Sequence, residues 1–208
     1  ARGGEHNANA GHAIFIGDID EVVLYNREVS PLEMMKIKQA HNGGGMSAPQ
    51  AGLVAEYDFN GPADVGYPAG TYHNDAGFTA DSHSGLALDD INAKGWLTVP
   101  DQSAIDVSSL TMAAWVKTTG SQNQHYNIIL NKESVYEMAI RNGNELCSAL
   151  AVGRVGNWNW WCSGTVPTSS WAHVAVTYSS STGPCQHRVH GVDVGSRGRS
   201  AAGRAHHN

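Results

Sequence analysis

Two segments, residues 110–117 and 172–178, alternate with a period of two, and they constrain the fold more than anything else in the chain. In the first, Leu110, Met112, Ala114 and Val116 share one face, while Thr111, Ala113, Trp115 and Lys117 share the other. In the second, Ala172, Val174, Val176 and Tyr178 repeat the pattern. Successive side chains of a strand point to opposite faces, so both segments are strands with a buried side. Further short apolar runs at 53–59, 87–88, 96–100, 126–131, 136–141, 145–152 and 158–166 are each bounded by turn residues. This texture predicts an all-β, two-sheet antiparallel sandwich or jelly roll, not βαβ units. Only 15% of the 208 residues are charged and 24 are glycine, which leaves little for long solvent-facing helices or a coiled coil.

Charge narrows the partners. The chain has 13 basic against 19 acidic residues, net −6, so it lacks the basic footprint of a nucleic-acid binder. No apolar run approaches the roughly 20 residues that cross a bilayer as a helix, and no membrane insertion is expected. Residues 184–208 carry four arginines against one aspartate, about +3, leaving about −9 for the rest. This tail has no apolar periodicity after Val194 and reads as loop or frayed end.

The other end is punctuated differently. Residues 13–25 form a β-branched apolar stretch broken at Gly17. Ser30-Pro31-Leu32-Glu33 then reads as a helix start, with Ser30 as cap, Pro31 in the first turn and Glu33 completing a capping box. One short helix near residues 31–40 follows, fading by His41. Residues 42–49, Asn-Gly-Gly-Gly-Met-Ser-Ala-Pro, have the composition of a flexible linker.

Six landmarks along residues 51–195 together resemble the laminin-G-like domain of the concanavalin A-like lectin/glucanase jelly-roll superfamily. Residues 52–59 (GLVAEYDF) resemble its opening strand, and 85–88 and 97–100 its second and third. Residues 110–117 (LTMAAWVK) resemble its tryptophan strand, 171–178 (WAHVAVTY) its most recognisable strand, and 189–192 the next. The family pattern closes with a strand and a capped helix, and residues 15–30 are similar to that closing element while standing at the opposite end. The resemblance thus implies a tandem array sampled out of register. Residues 1–41 would be the C-terminal strand and helix of one repeat, 42–50 a linker, and 51–208 the N-terminal majority of a second. Residues 13–26 are expected to complete the sheet of that second repeat by docking beside 53–59. The first residue, Ala1, is followed by no signal-peptide pattern, so the expected parent protein begins upstream.

Several residues are candidates for chemistry. If Val152 opposes Asn157 across the turn at 153–156, Cys147 opposes Cys162. The pair is then either a cross-strand disulfide, which implies an oxidising compartment, or two buried thiols. Cys185 is left over. Beside the pair, Trp158 and Trp160 point to one face of a strand and Trp161 to the other. Trp158 and Trp160 could stack on sugar rings, with Arg154, Asn157 and Asn159 as hydrogen-bonding groups; core or sheet-covering tryptophans are the alternative.

The acidic run Asp18-Ile19-Asp20-Glu21 is similar to the catalytic strand of laminarinase-type hydrolases on the same jelly roll. An apolar Val22 stands where the third carboxylate would be needed, which argues against hydrolysis. The superfamily resemblance implies another use: a structural calcium held by Asp20 and Asp58 where first and last strands meet, against the alternative of surface carboxylates. The histidines show no zinc spacing, and His173 reads as a packed core residue.

The resulting expectation is a non-catalytic extracellular binding or adhesion module within a larger secreted or surface protein. Its partners would be glycans or glycoproteins and neighbouring repeats of the same polypeptide. The alternatives are a spacer repeat without a ligand and, last, a jelly-roll glycan-degrading enzyme.

Overall fold

The computed structural model describes residues 12–40, 47–74, 76–89, 95–120, 122, 126–133, 135–151 and 160–197. The first half forms β1 (His12–Ile14), β2 (Gly17–Tyr25), α1 (Pro31–Gln39), β3 (Leu53–Tyr57), β4 (Thr71–His73), β5 (Gly77–Thr79), β6 (Ala87–Asp89) and β7 (Trp96–Thr98). The second half adds β8 (Leu110–Thr118), β9 (Tyr126–Lys132), β10 (Tyr136–Arg141), β11 (Glu145–Leu150), β12 (Trp160–Thr165), β13 (Ala172–Tyr178), β14 (Cys185–Val189) and β15 (Val192–Arg197). A five-stranded sheet runs β1-β9-β10-β11-β12. An eight-stranded sheet runs β15-β14-β13-β8-β2-β6-β5, with β3 also paired to β2. β4 and β7 pair as a separate ribbon. The two large sheets stack as a jelly-roll sandwich, antiparallel except where β1 joins β9.

The break at Gly17 is a change of sheet. β1 belongs to the five-stranded sheet, whereas β2 lies in the middle of the eight-stranded one. There Val22 faces Tyr57 of β3, and Ile19 faces Val116 of β8. A Cβ at Gly17 would sit 2.2 Å from the Lys117 carbonyl oxygen and 2.8 Å from the Phe15 ring, a crossing only glycine permits.

The core lies between the sheets. Leu110, Met112, Ala114 and Val116 of β8 meet Met138 and Ile140 of β10 in one buried cluster. Removing such side chains from water is the main stabilising term in a sandwich of this size. The opposite face of β8 is used as well. α1 buries Met34 and Ile37 against Val23, Tyr25, Ala113 and Ala175 on the outside of the eight-stranded sheet. Its start is a capping box: the Glu33 N–H donates to Ser30 Oγ (3.3 Å), and the Ser30 N–H donates to Glu33 Oε2 (2.9 Å).

The structure corrects the sequence reading in three places. Residues 189–192 are not one strand: Val189 ends β14, Val192 begins β15, and His190 and Gly191, at φ 53° and 83°, make the hairpin turn between them. The flanking valines are strand residues, paired with each other, and run together in sequence as one strand; the turn between them depends on backbone conformations that few residues adopt. Strand structure also persists beyond Val194, to Arg197. The Gly-, Pro-, Asp- and Asn-rich stretch after Phe59, which in sequence reads as a loop to about Gly85, holds β4 and β5. Residues 42–46 of the expected linker lie outside the described residues.

Candidate functional site

β10, β11 and β12 fix one side-chain row on the outer face of the five-stranded sheet. Asn131 of β9 pairs with Glu137, Glu137 with Ala149, and Ala149 with Trp160. The row therefore crosses four strands: an amide, a carboxyl group, a methyl floor and an indole. Trp160 stacks on Tyr126, with ring centroids 3.7 Å apart and planes within 10°. The Arg141 guanidinium lies 5.6 Å from the Tyr126 ring centre and donates to its hydroxyl at 3.3 Å. Glu137 is buried, and burial pushes its carboxyl up to about 7, while Asn131 Nδ2 donates to Oε1 at 3.5 Å.

β12 is held in place by the disulfide between Cys147 and Cys162, which occupy directly opposed positions with Cα atoms 4.0 Å apart. The sequence reading expects this bridge, with two buried thiols as the alternative, and the bridge is formed. Cys185 is free and buried, and burial raises its thiol to about 11. Trp161 turns to the interior. It sits opposite Ser148 and packs against His187 of β14 at 4.0 Å. His187 bridges the sheets, with Nε2 2.8 Å from Ser148 Oγ and Nδ1 3.0 Å from Ser163 Oγ. Trp161 is thus partly buried against the core, while Trp160 faces outward. Arg154, Asn157, Trp158 and Asn159 lie outside the described residues.

The acidic run of β2 sits on the other sheet. Asp20 is fully buried, and its carboxylate accepts three backbone N–H bonds: Glu21 at 2.9 Å, His83 and Ser84 at 3.0 Å each. Burial nevertheless raises it to about 7. Glu21, at φ 51°, is raised to about 9 by burial and then by the charges of Asp58 and Asp20. The two carboxylates expected to hold calcium, Asp20 and Asp58, therefore share an acidic pocket with Glu21. Asp20 already serves as a backbone anchor. Among the described residues, no three His, Cys, Asp or Glu side chains form a metal-ligating group.

Glu137 and Tyr126 escaped the sequence reading. Strand alternation could have placed each on a face, but only the pairing of four strands brings Glu137 into line with Trp160, and Tyr126, at the opposite end of β9 from Asn131, meets Trp160 through the ring stack.

A laminin-G family model, described as the concanavalin A-like lectin/glucanases superfamily, matches residues 92–206. No curated protein and no solved structure matches the chain. The match spans β7 to β15 and includes the disulfide, the Trp160 row and the β8–β13 pair at the centre of the eight-stranded sheet. It takes in more than half of the sequence, and the chain belongs to the concanavalin A-like lectin/glucanase superfamily.

Proposed function

We propose that the chain is a non-catalytic module that binds glycans or glycoconjugates on the outer face of its five-stranded sheet, as part of a secreted or surface protein. The observation that carries this reading is the Trp160–Tyr126 stack at the end of the Asn131–Glu137–Ala149 row. The half-buried Trp160, Tyr126 and Asn131 are the accessible members of this face, with Glu137 and Ala149 buried beneath, and an aromatic wall beside an amide suits the apolar face and hydroxyls of a sugar. The disulfide supports an oxidising compartment.

Two features support the absence of catalysis. Glycosidic cleavage needs two carboxyl groups flanking one bond. On this side of the sheet Glu145 lies two rows away and pairs with Arg141 at 3.7 Å, while Glu133, exposed beyond the end of β9, is near enough for its charge to help keep Glu137 protonated. On β2, Asp20 is taken up by three backbone donors. A calcium ion near the Asp20–Asp58 end would relieve the crowding of Glu21 against its acidic neighbours, and its role there is structural in this reading.

The test is a glycan array on the full chain, with Trp160→Ala and Tyr126→Ala beside it, in calcium and in chelator. Binding that both substitutions weaken supports the reading, and loss in chelator supports the calcium. Hydrolysis of an arrayed glycan, or binding indifferent to both substitutions, would overturn it. The spacer reading has one observation in its favour: Tyr126 covers a face of the Trp160 ring. It predicts an empty array.

A further inference from the structure

The outer face of the eight-stranded sheet is divided in two. α1 covers one half through Met34 and Ile37. The other half, centred on Trp115 of β8, is covered by residues 80–85, Ala-Asp-Ser-His-Ser-Gly. This segment inserts no aliphatic or aromatic hydrocarbon anchor. It is held by the His83 and Ser84 N–H groups donating to Asp20, and by Asp81, which accepts from Lys117 Nζ and from Trp171 Nε1 (3.2 Å). The His83 ring lies flat on the Trp115 indole, with centroids 3.6 Å apart and planes within 13°. Every one of these contacts is polar or a ring stack, so the segment can leave without opening the core.

What lies beneath it is unusual. Trp115 Nε1, His173 Nδ1 and Asp18 Oδ1 are buried and have no hydrogen-bond partner. Their residues are 7%, 1% and 3% exposed. Buried polar atoms without partners are uncommon, and each costs free energy unless another state satisfies it. These three are neighbours. His173 is opposite Trp115 in the β8–β13 register and meets its ring edge at 5.4 Å. Asp18 is opposite Lys117 in the β2–β8 register, two positions along the same face from Trp115.

We propose that residues 80–85 are a lid over a second saccharide site, where a pyranose ring replaces the His83 imidazole on Trp115 and its hydroxyls meet Trp115 Nε1, His173 Nδ1 and Asp18 Oδ1. The site is on the opposite sheet from the Trp160 row and stands or falls separately from it. A hydroxyl both donates and accepts, which matches a set containing one donor, one acceptor and one imidazole nitrogen. The flat indole takes the apolar face of the ring. His173 is held neutral: burial, then Lys38, His190 and His83, push it down to about 3. Asp18, Asp20 and Asp81 around the indole disfavour an anionic ligand. In the lidded state His83 competes with the ligand, so affinity is reduced by the fraction of molecules that are closed.

The experiment follows the Trp115 indole N–H by NMR in the full chain, assigned with Trp115→Phe. The probes are neutral tetrasaccharides of β-linked glucose, galactose and N-acetylglucosamine. Two variants loosen the lid without touching its floor: His83→Ala removes the ring from Trp115, and Asp81→Asn weakens the tie to Lys117 and Trp171. The expected result is that one tetrasaccharide shifts the Trp115 signal and binds both variants roughly 5-fold or more tighter than wild type. Trp160→Ala should leave that shift intact, which separates this site from the proposed glycan face. Either of two results overturns the proposal: a Trp115 signal unmoved in wild type and both variants at millimolar saccharide, or equal affinity with and without the lid contacts.

Discussion

Cys147 lies directly across from Cys162 on the neighbouring strand, and the disulfide between them fastens β12, the last strand of this sheet among the described residues, to β11. The bridge closes a loop with a sequence separation of 15, for which the chain-entropy account gives a stabilisation of about 3 kcal/mol. Reduction, or the double substitution Cys147→Ala with Cys162→Ala, is expected to lower the urea midpoint accordingly. Because Trp160 and Trp161 follow each other on β12 immediately before Cys162, their environments should change with it. An unchanged midpoint in reductant would show that strand pairing alone holds β12.

His187 makes stability depend on acid. Burial is the main cause of its depressed value, about 4 against an ordinary 6.5. The folded state keeps the imidazole neutral between two serine hydroxyls, while the unfolded chain takes up a proton near pH 6.5. Its contribution is thus fully present above pH 6.5 and is lost as pH falls through the window from 6.5 to 4. The integrated effect is on the order of 3 kcal/mol. His173 is depressed as well and adds to the same slope. His187→Gln keeps hydrogen-bonding capacity but cannot titrate. Urea unfolding at pH 7.0 and 5.0 should show wild type losing more stability than the variant over that interval. Parallel losses in the two proteins would remove His187 as the source.

How much of this was legible in the sequence depends on how local each signal is. The alternation in 110–117 and 172–178 identified the strands, because the repeat of two is written in adjacent residues. The α1 start was legible for the same reason, since Ser30 and Glu33 form their box within one turn. The change of sheet at Gly17 was visible as a break, but its meaning rests on Lys117, one hundred positions away. Glu137 gave no sign of its place beside Trp160, which is set by the registers of β10, β11 and β12 together. The His83 stack on Trp115 was equally hidden. It requires Asp20 to capture the backbone of a loop that reads as featureless in sequence.

Glu137 supplies the opposite pH dependence from the histidines, on the candidate glycan face itself. Burial raises its carboxyl from 4.5 to about 7, so the folded state resists ionisation where the unfolded chain does not. The sign follows: its stabilising share is complete below pH 4.5 and is lost as pH rises through 7, by an amount on the order of 3 kcal/mol. Glu137→Gln preserves the shape and removes the charge. The variant should therefore gain on wild type as pH rises, with a larger unfolding free-energy difference in its favour at pH 8 than at pH 5. If a glycan hydroxyl donates to this group, binding to wild type should strengthen as the carboxylate forms near pH 7, while the variant's affinity stays flat. Calorimetric titrations at pH 6 and 8 with the glycan selected on the array would read this directly. A stability difference that does not change between pH 5 and pH 8 would mean that Glu137 ionises as freely in the folded protein as in the unfolded one.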